Sequence, residues 1–196
     1  MRIVTIVEGH GEVEAVPILI RRIVASVAPG VVVDLPRPIR VKRNRLLREN
    51  ELERTIELAA RQASDNGRIL ILLDADDDCP AHLAPEILQR AVLARTDCRI
   101  CVVLAKTEYE AWFLAAATSV AGRRGVRQDV TAPRDPEQIR DAKGWLSRQM
   151  TAGHSYRETL DQPALSAVFD LQSARRAPSF DKMWRDVRSF LVAEDP

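Results

Sequence analysis

The sequence predicts an α/β protein: a Rossmann-type sheet of four mostly parallel strands between helices, with a C-terminal helical extension. Three observations carry this. Short apolar runs alternate with amphipathic stretches along the first part of the chain. Three of those runs are apolar at nearly every position instead of every second one, which suits strands covered on both faces. After Ala117 the composition shifts to loop-like segments and helical spacing.

The first strand is Ile3-Val4-Thr5-Ile6-Val7. The following helix carries Val13, Val16, Ile20, Ile23, Val24 and Val27 on one stripe. Pro17 lies near its first turn or kinks it, because proline donates no interior hydrogen bond. The second strand is the weaker run Val31-Val32-Val33, with further pairing residues at 39–41. Leu52, Ile56, Ala59, Ala60 and Ala63 mark a second helix, and residues 69–73 a third strand. Leu83, Ile87, Leu88, Ala91 and Val92 mark a third helix, and residues 100–104 a fourth strand. A fourth helix is expected over 109–119, with Trp112, Phe113 and Ala116. Loops at 122–125 and 131–136 separate it from helices over 137–150, 163–175 and 180–192. The expected units are an α/β core over 1–120 and a helical extension over 121–196, packed on that core.

Composition sets the outer limits. The 196 residues suffice for a buried core without staples. No apolar run approaches the roughly 18 residues of a membrane span. The N-terminus lacks signal-peptide features, and three cysteines do not make a disulfide framework, so a cytoplasmic protein is expected. Cys98 and Cys101 are spaced so that a strand points them to opposite faces. A net charge of +1 excludes a polybasic binder but not a local basic patch.

Acids cluster directly after the strands. Glu8 and Glu12 follow the first; Asp74, Asp76, Asp77 and Asp78 follow the third; Glu108 and Glu110 follow the fourth. In a parallel sheet the carboxyl ends share one edge, where ligands bind, so three clusters distant in sequence are expected to meet. Close carboxylates repel one another. A hard divalent cation, Mg²⁺ or Mn²⁺, resolves the conflict. The same acids have a plainer reading: Glu12 and Glu110 suit helix N-termini, and the aspartates suit a solvated turn. Repulsion at this edge predicts that Asp76→Asn stabilises the metal-free protein.

At these residues the sequence resembles the Toprim superfamily, through Glu8-Gly9 after the first strand and Asp74-Ala75-Asp76 after the third. It resembles more closely the DUF4276 family of small Toprim-like proteins. The matching segments are residues 7–12, 73–77 and 106–112, with Asp161-Gln162-Pro163 and Ser179-Phe180. The resemblance implies a Toprim-like fold and Mg²⁺-dependent chemistry on phosphodiester bonds. Of the Toprim enzymes, overcoming-lysogenization-defect nucleases fit better than topoisomerases or primases, because the chain lacks their extra modules. Glu12 matches, by its spacing from Glu8, a second metal-holding acid of those nucleases. On this reading Asp74 and Asp76 hold one Mg²⁺ or Mn²⁺, and Glu8 bridges or acts as general base. Glu12 and Glu108 complete a second metal site, and Lys106 offsets transition-state charge.

The segment 37–48 holds Arg37, Arg40, Lys42, Arg43, Arg45 and Arg48 and no acid. Such a patch can follow a phosphate backbone, with DNA favoured over RNA. No Walker-type motif occurs, so the resemblance implies a separately encoded ATPase of AAA or ABC type in a prokaryotic defence system, and it leaves a homo-oligomer open. The expected function is a metal-dependent nuclease. The alternative is a non-catalytic module that binds nucleic acid or regulates an ATPase.

Overall fold

The computed structural model describes residues 1–64 and 67–191. Among them one sheet forms from four parallel strands: β1 (Ile3–Val7), β2 (Ile39–Arg40), β3 (Arg68–Asp74) and β4 (Arg99–Ala105). The spatial order is β2-β1-β3-β4, with Ile6 beside Ile39, Thr5 beside Leu70 and Leu70 beside Cys101. The sheet is thus wholly parallel, where the sequence predicted mostly parallel.

Alternation along the strands divides the core into two faces. Val4, Ile6, Ile69, Ile71, Leu73, Val102 and Leu104 meet α3 (Glu51–Ala63) and α4 (Pro80–Ala94). Ile3, Val7, Leu70, Leu72, Val103 and Ala105 meet α1 (His10–Val27) and the helices that follow β4. Covering on both faces is why runs one, three and four are apolar throughout. Cys98 and Cys101 fall in opposite faces and are free thiols.

The second run is a correction. Val31 and Val32 are exposed and pair with nothing as a strand; Asp34 makes an isolated bridge to Arg2, and the strand proper is Ile39–Arg40. A short helix, α2 (Arg43–Leu46), follows within the basic segment. Pro17 sits well inside α1, buried against the core.

The later helices are shorter and shifted. The expected 109–119 helix is α5 (Ala111–Ala115) followed by a 3₁₀ turn, Ala117–Val120. The 137–150 stretch is a 3₁₀ turn, Pro136–Gln138, and then α6 (Ala142–Arg148), whose N-terminus is capped by Asp141 accepting from the Gly144 N–H. The 163–175 stretch is α7 (Glu158–Ser166) and α8 (Leu171–Ala174). Its early start is explained by Asp161 Oδ2, which accepts the Arg157 N–H at 2.8 Å and closes the first turn. The break is explained by Asp170, which caps a new start at Ser173, and by Phe169, buried between the two helices. The last helix is α9 (Pro178–Leu191); Val192, its expected end, lies outside the described residues. These helices share one core with β1, β3 and β4 through an aromatic cluster of Tyr109, Trp112, Phe113, Phe169 and Phe180. No helix among the described residues is long and apolar enough to cross a membrane.

Helix α7 is tied to α1. The Arg22 guanidinium donates to the Ser166 and Phe169 carbonyls at 2.7 Å each. At the other end Gly11 allows close approach: a methyl there would stand 2.7 Å from the Glu158 carbonyl oxygen and overlap the Gln162 side chain. Gly11→Ala gains about 1 kcal/mol of helix propensity. It meets a backbone atom that cannot step aside, and overpacking costs about 1–3 kcal/mol. The expected result is a net loss of stability of about 1 kcal/mol or more in urea unfolding. A more stable variant would show that α1 and α7 are less tightly apposed.

Candidate functional site

Along the sheet the chain runs outward to β2 on one side of β1 and to β3 and β4 on the other. The crevice at the carboxyl ends of β1 and β3 therefore lies where the order reverses. A cavity of about 240 Å³ opens there, lined by Glu8, Gly9, Glu12, Asp74, Asp76, Glu108, Lys143, Glu158 and Gln162. The structure brings together Glu8, Glu12, Asp74, Asp76 and Glu108, which the sequence placed at one edge.

Each acid is held differently. Glu12, in the first turn of α1, is buried, and its Oε2 accepts the Glu8 and Gly9 N–H groups at 2.9 and 3.0 Å. It caps the helix and faces the cavity at once, so both readings of this residue hold. Burial first, then the charges of Glu110 and Glu8, push its carboxyl up to about 7 against those two bonds. Asp74 closes β3, and its Oδ1 accepts the Tyr109 N–H at 2.7 Å, fastening the end of β3 to the segment after β4. Burial, with Glu12 and Glu110 nearby, raises its carboxyl well above the ordinary aspartate range. Glu8 is partly buried; burial raises it too, opposed by the Arg43 N–H, and its Oε2 is buried without a hydrogen-bond partner. Asp76 is exposed in a left-handed turn (φ 49°), 3.6 Å from the Arg43 guanidinium. It faces that guanidinium on one side, and on the other its charge still helps to raise the Glu8 carboxyl. Glu108 Oε2 accepts the Ala142 and Lys143 N–H groups at 2.9 and 3.1 Å and holds the start of α6.

Four participants were missed or underrated. Glu110, read as a helix cap, is completely buried; its Oε1 accepts from Tyr156 at 2.7 Å and from Gln162 at 3.3 Å. Burial pushes it up to about 7, partly offset by the Lys143 charge. Lys143, Glu158 and Gln162 come from α6 and α7. Only Gln162 carried a signal, within the Asp161-Gln162-Pro163 segment. The Lys143 ammonium lies beside Glu108, Glu110 and Glu158, and the charges of Glu110, Asp74, Glu108 and Glu158 outweigh its partial burial and raise its pKa.

Two expectations are corrected. Lys106 is not in this cavity: it lines an adjoining one of about 260 Å³ with Asp76, Asp77, Thr107, Glu137, Gln138 and Arg140. The ammonium among the carboxylates is that of Lys143. In the basic segment Arg43 is buried and paired with Asp78 and Asp76, so it is not free for phosphate. Arg45 is paired with Glu51 at 2.6 Å, although its own side chain is exposed. Arg37, Arg40, Lys42 and Arg48 are exposed, with the Arg40 guanidinium 3.5 Å from the Glu8 carbonyl at the cavity rim.

Among the described residues, no group of three or more His, Cys, Asp or Glu is arranged to hold a metal ion in the rotamers seen. The geometry accounts for this. Glu12 and Glu108 each spend an oxygen on a helix N-terminus, Asp76 turns to Arg43, and Glu110 turns to Tyr156 and Gln162.

No curated protein and no solved structure matches the chain. A family model does, described as domain of unknown function (DUF4276), over residues 7–188. That match takes in the last residue of β1, the whole of β2, β3 and β4, the acids after the strands, and the α6 and α7 residues that complete the cavity. The chain belongs to the DUF4276 family.

Proposed function

We propose that this protein is a Toprim-like nuclease that hydrolyses phosphodiester bonds with a divalent cation, Mg²⁺ or Mn²⁺. The observation that carries the reading is the meeting of Glu8, Asp74 and Asp76 in one cavity at the reversal point of a parallel sheet. The donors suit such a cation: they are hard carboxylate oxygens, and Glu8 Oε2 is buried with no partner. Glu8, Asp74 and Asp76 are the residues that would hold it, after Asp76 leaves Arg43. Bound there, the cation lowers the pKa of water and offsets charge on the phosphodiester.

The chain's own residues supply the rest. Glu8, with its raised pKa and free Oε2, takes the proton of the attacking water. The Tyr109 N–H keeps Asp74 in place. Lys143 adds positive charge within the cavity, where the substrate's anionic oxygens would come. Arg37, Arg40, Lys42 and Arg48 guide the anionic strand, DNA before RNA, toward the rim. The protein acts in the cytoplasm beside a separately encoded AAA- or ABC-type ATPase of a defence system.

A second reading has an observation of its own. Lys143 and Arg43 already neutralise several of the carboxylates, as they would in a non-catalytic module that binds nucleic acid or regulates an ATPase. Calorimetric titration with Mn²⁺ separates the two. The nuclease reading expects binding that Asp74→Asn/Asp76→Asn abolishes while circular dichroism is unchanged; unaltered binding in that variant removes the site assignment.

The exposed basic residues make a further prediction. Replacing Arg37, Arg40, Lys42 and Arg48 by Gln is expected to weaken duplex binding and flatten its log–log salt slope by up to about 0.9 per lost phosphate contact. Arg43→Gln is expected instead to lower stability, because it strands Asp76 and Asp78. An unchanged slope in the fourfold variant would move nucleic acid to another surface.

A further inference from the structure

We infer that the Lys143 ammonium is a built-in counter-cation: it holds the Glu108, Glu110 and Glu158 side of the cavity and limits the protein to one divalent ion, at Glu8, Asp74 and Asp76. This rests on the divalent-cation reading above and adds a stoichiometry to it.

Three carboxylates, two from the segment after β4 and one from the start of α7, converge on one ammonium. Nζ lies 3.5 Å from Glu108 Oε1, 3.8 Å from Glu110 Oε2 and 3.7 Å from Glu158 Oε2. None of these is as short as the roughly 2.7–2.9 Å of a charge-assisted hydrogen bond. The ammonium therefore acts as a point charge shared by three acids. Among the described residues Glu110 Oε2 is buried and takes no hydrogen bond, and the charge facing it is the Lys143 ammonium. An unpartnered carboxylate oxygen in a wholly buried side chain is costly unless a cation stands opposite it.

The position of Lys143 is fixed from two sides. Glu108 accepts the Ala142 and Lys143 N–H groups with Oε2 and faces the ammonium with Oε1. The carboxylate that attracts the charge thus also anchors the backbone that delivers it. Glu158, on the far side, receives the Gly11 N–H through Oε1 at 3.3 Å and turns Oε2 to Lys143. A divalent ion among these three acids would stand beside the ammonium, and like charges at such range repel strongly. Glu12 spends its Oε2 on the Glu8 and Gly9 N–H groups, which leaves it one oxygen to offer. Glu108 and Glu12 are therefore not the second metal site the sequence suggested; Lys143 takes that place.

The test is calorimetric titration of the full chain with MnCl₂. The expected result is about one equivalent for wild type and for Lys143→Arg, which keeps the charge, and about two for Lys143→Met. Two equivalents in wild type overturn the inference, and so does one equivalent in both wild type and Lys143→Met. No binding by any of the three overturns it together with the divalent-cation reading, which distinguishes the two failures. Thermal unfolding of Lys143→Gln gives a second readout: a lower Tm than wild type without metal, and a larger rise on adding Mn²⁺. Equal Mn²⁺-induced rises in the two proteins count against the inference.

Discussion

Glu8→Gln and Asp74→Asn are each expected to reduce Mn²⁺-dependent cleavage of nucleic acid by at least about a hundredfold, the lower end of what a positioned acid or base contributes. Each substitution keeps the shape of the side chain and removes its charge. Glu8 loses the carboxylate that accepts a proton at Oε2, the one buried carboxylate oxygen beside β1 without a hydrogen bond. Asp74 retains an oxygen for the Tyr109 N–H, so the loop after β4 stays in place and the loss reports chemistry. Lys106→Gln is expected to have little effect, because Lys106 lines the adjoining cavity. The assay compares all three variants with wild type in the presence of the ATPase partner. Equal residual cleavage in wild type, Glu8→Gln and Asp74→Asn would mean that it comes from a contaminant, and the non-catalytic reading would then stand.

The metal-free protein is expected to be more stable at pH 5 than at pH 8. Glu12 and Glu110 are buried, and both are pushed from 4.5 up to about 7, by burial first in each case. A carboxyl whose folded pKa is raised contributes stability below its unfolded pKa and loses that contribution as pH rises through the folded value. The window is therefore pH 4.5 to about 7. The two acids and Asp74 lie close enough to titrate together, so the drop belongs to the group and is on the order of 3 kcal/mol. Other acids work the opposite way at the acidic end. Glu53, Asp170 and Asp181 are held below their ordinary values by Arg90, Ser173 and Arg175 respectively, and their contribution is lost as pH falls below that range. Stability should peak near pH 5, about where the two trends cross. Urea unfolding in EDTA reads this directly. Glu110→Gln keeps an acceptor for Tyr156 and should flatten the dependence and raise stability at pH 8. A wild-type protein that is more stable at pH 8 than at pH 5 would contradict the account.

What could be read from the sequence follows from how each element is stabilised. β1, β3 and β4 are legible because helices cover both faces, so every position is apolar. β2 is not: it is two residues long, and the valines at 31 and 32 that resemble a strand lie on the surface. Glu8, Asp74 and Asp76 were legible because a parallel sheet brings the ends of its strands to one edge, and because the Glu-Gly and Asp-x-Asp resemblance picked them out of the acidic clusters there. Glu110 was visible but misjudged, because an acid before a helix looks the same whether it caps or is buried. Lys143 and Glu158 had no local signal; they reach the cavity through the tertiary packing of α6 and α7 against the core. Arg43 shows the limit of reading charge from sequence, since a run of arginines does not say which of them already have carboxylate partners.

The most direct measurement is anomalous diffraction from crystals of the full chain soaked in MnCl₂ at a pH above 7, where the cavity carboxyls are ionised. The account predicts one Mn²⁺ peak, bounded by the side chains of Glu8, Asp74 and Asp76, with Lys143 still seated among Glu108, Glu110 and Glu158. No peak in the cavity, or a peak only at surface carboxylates, would contradict it.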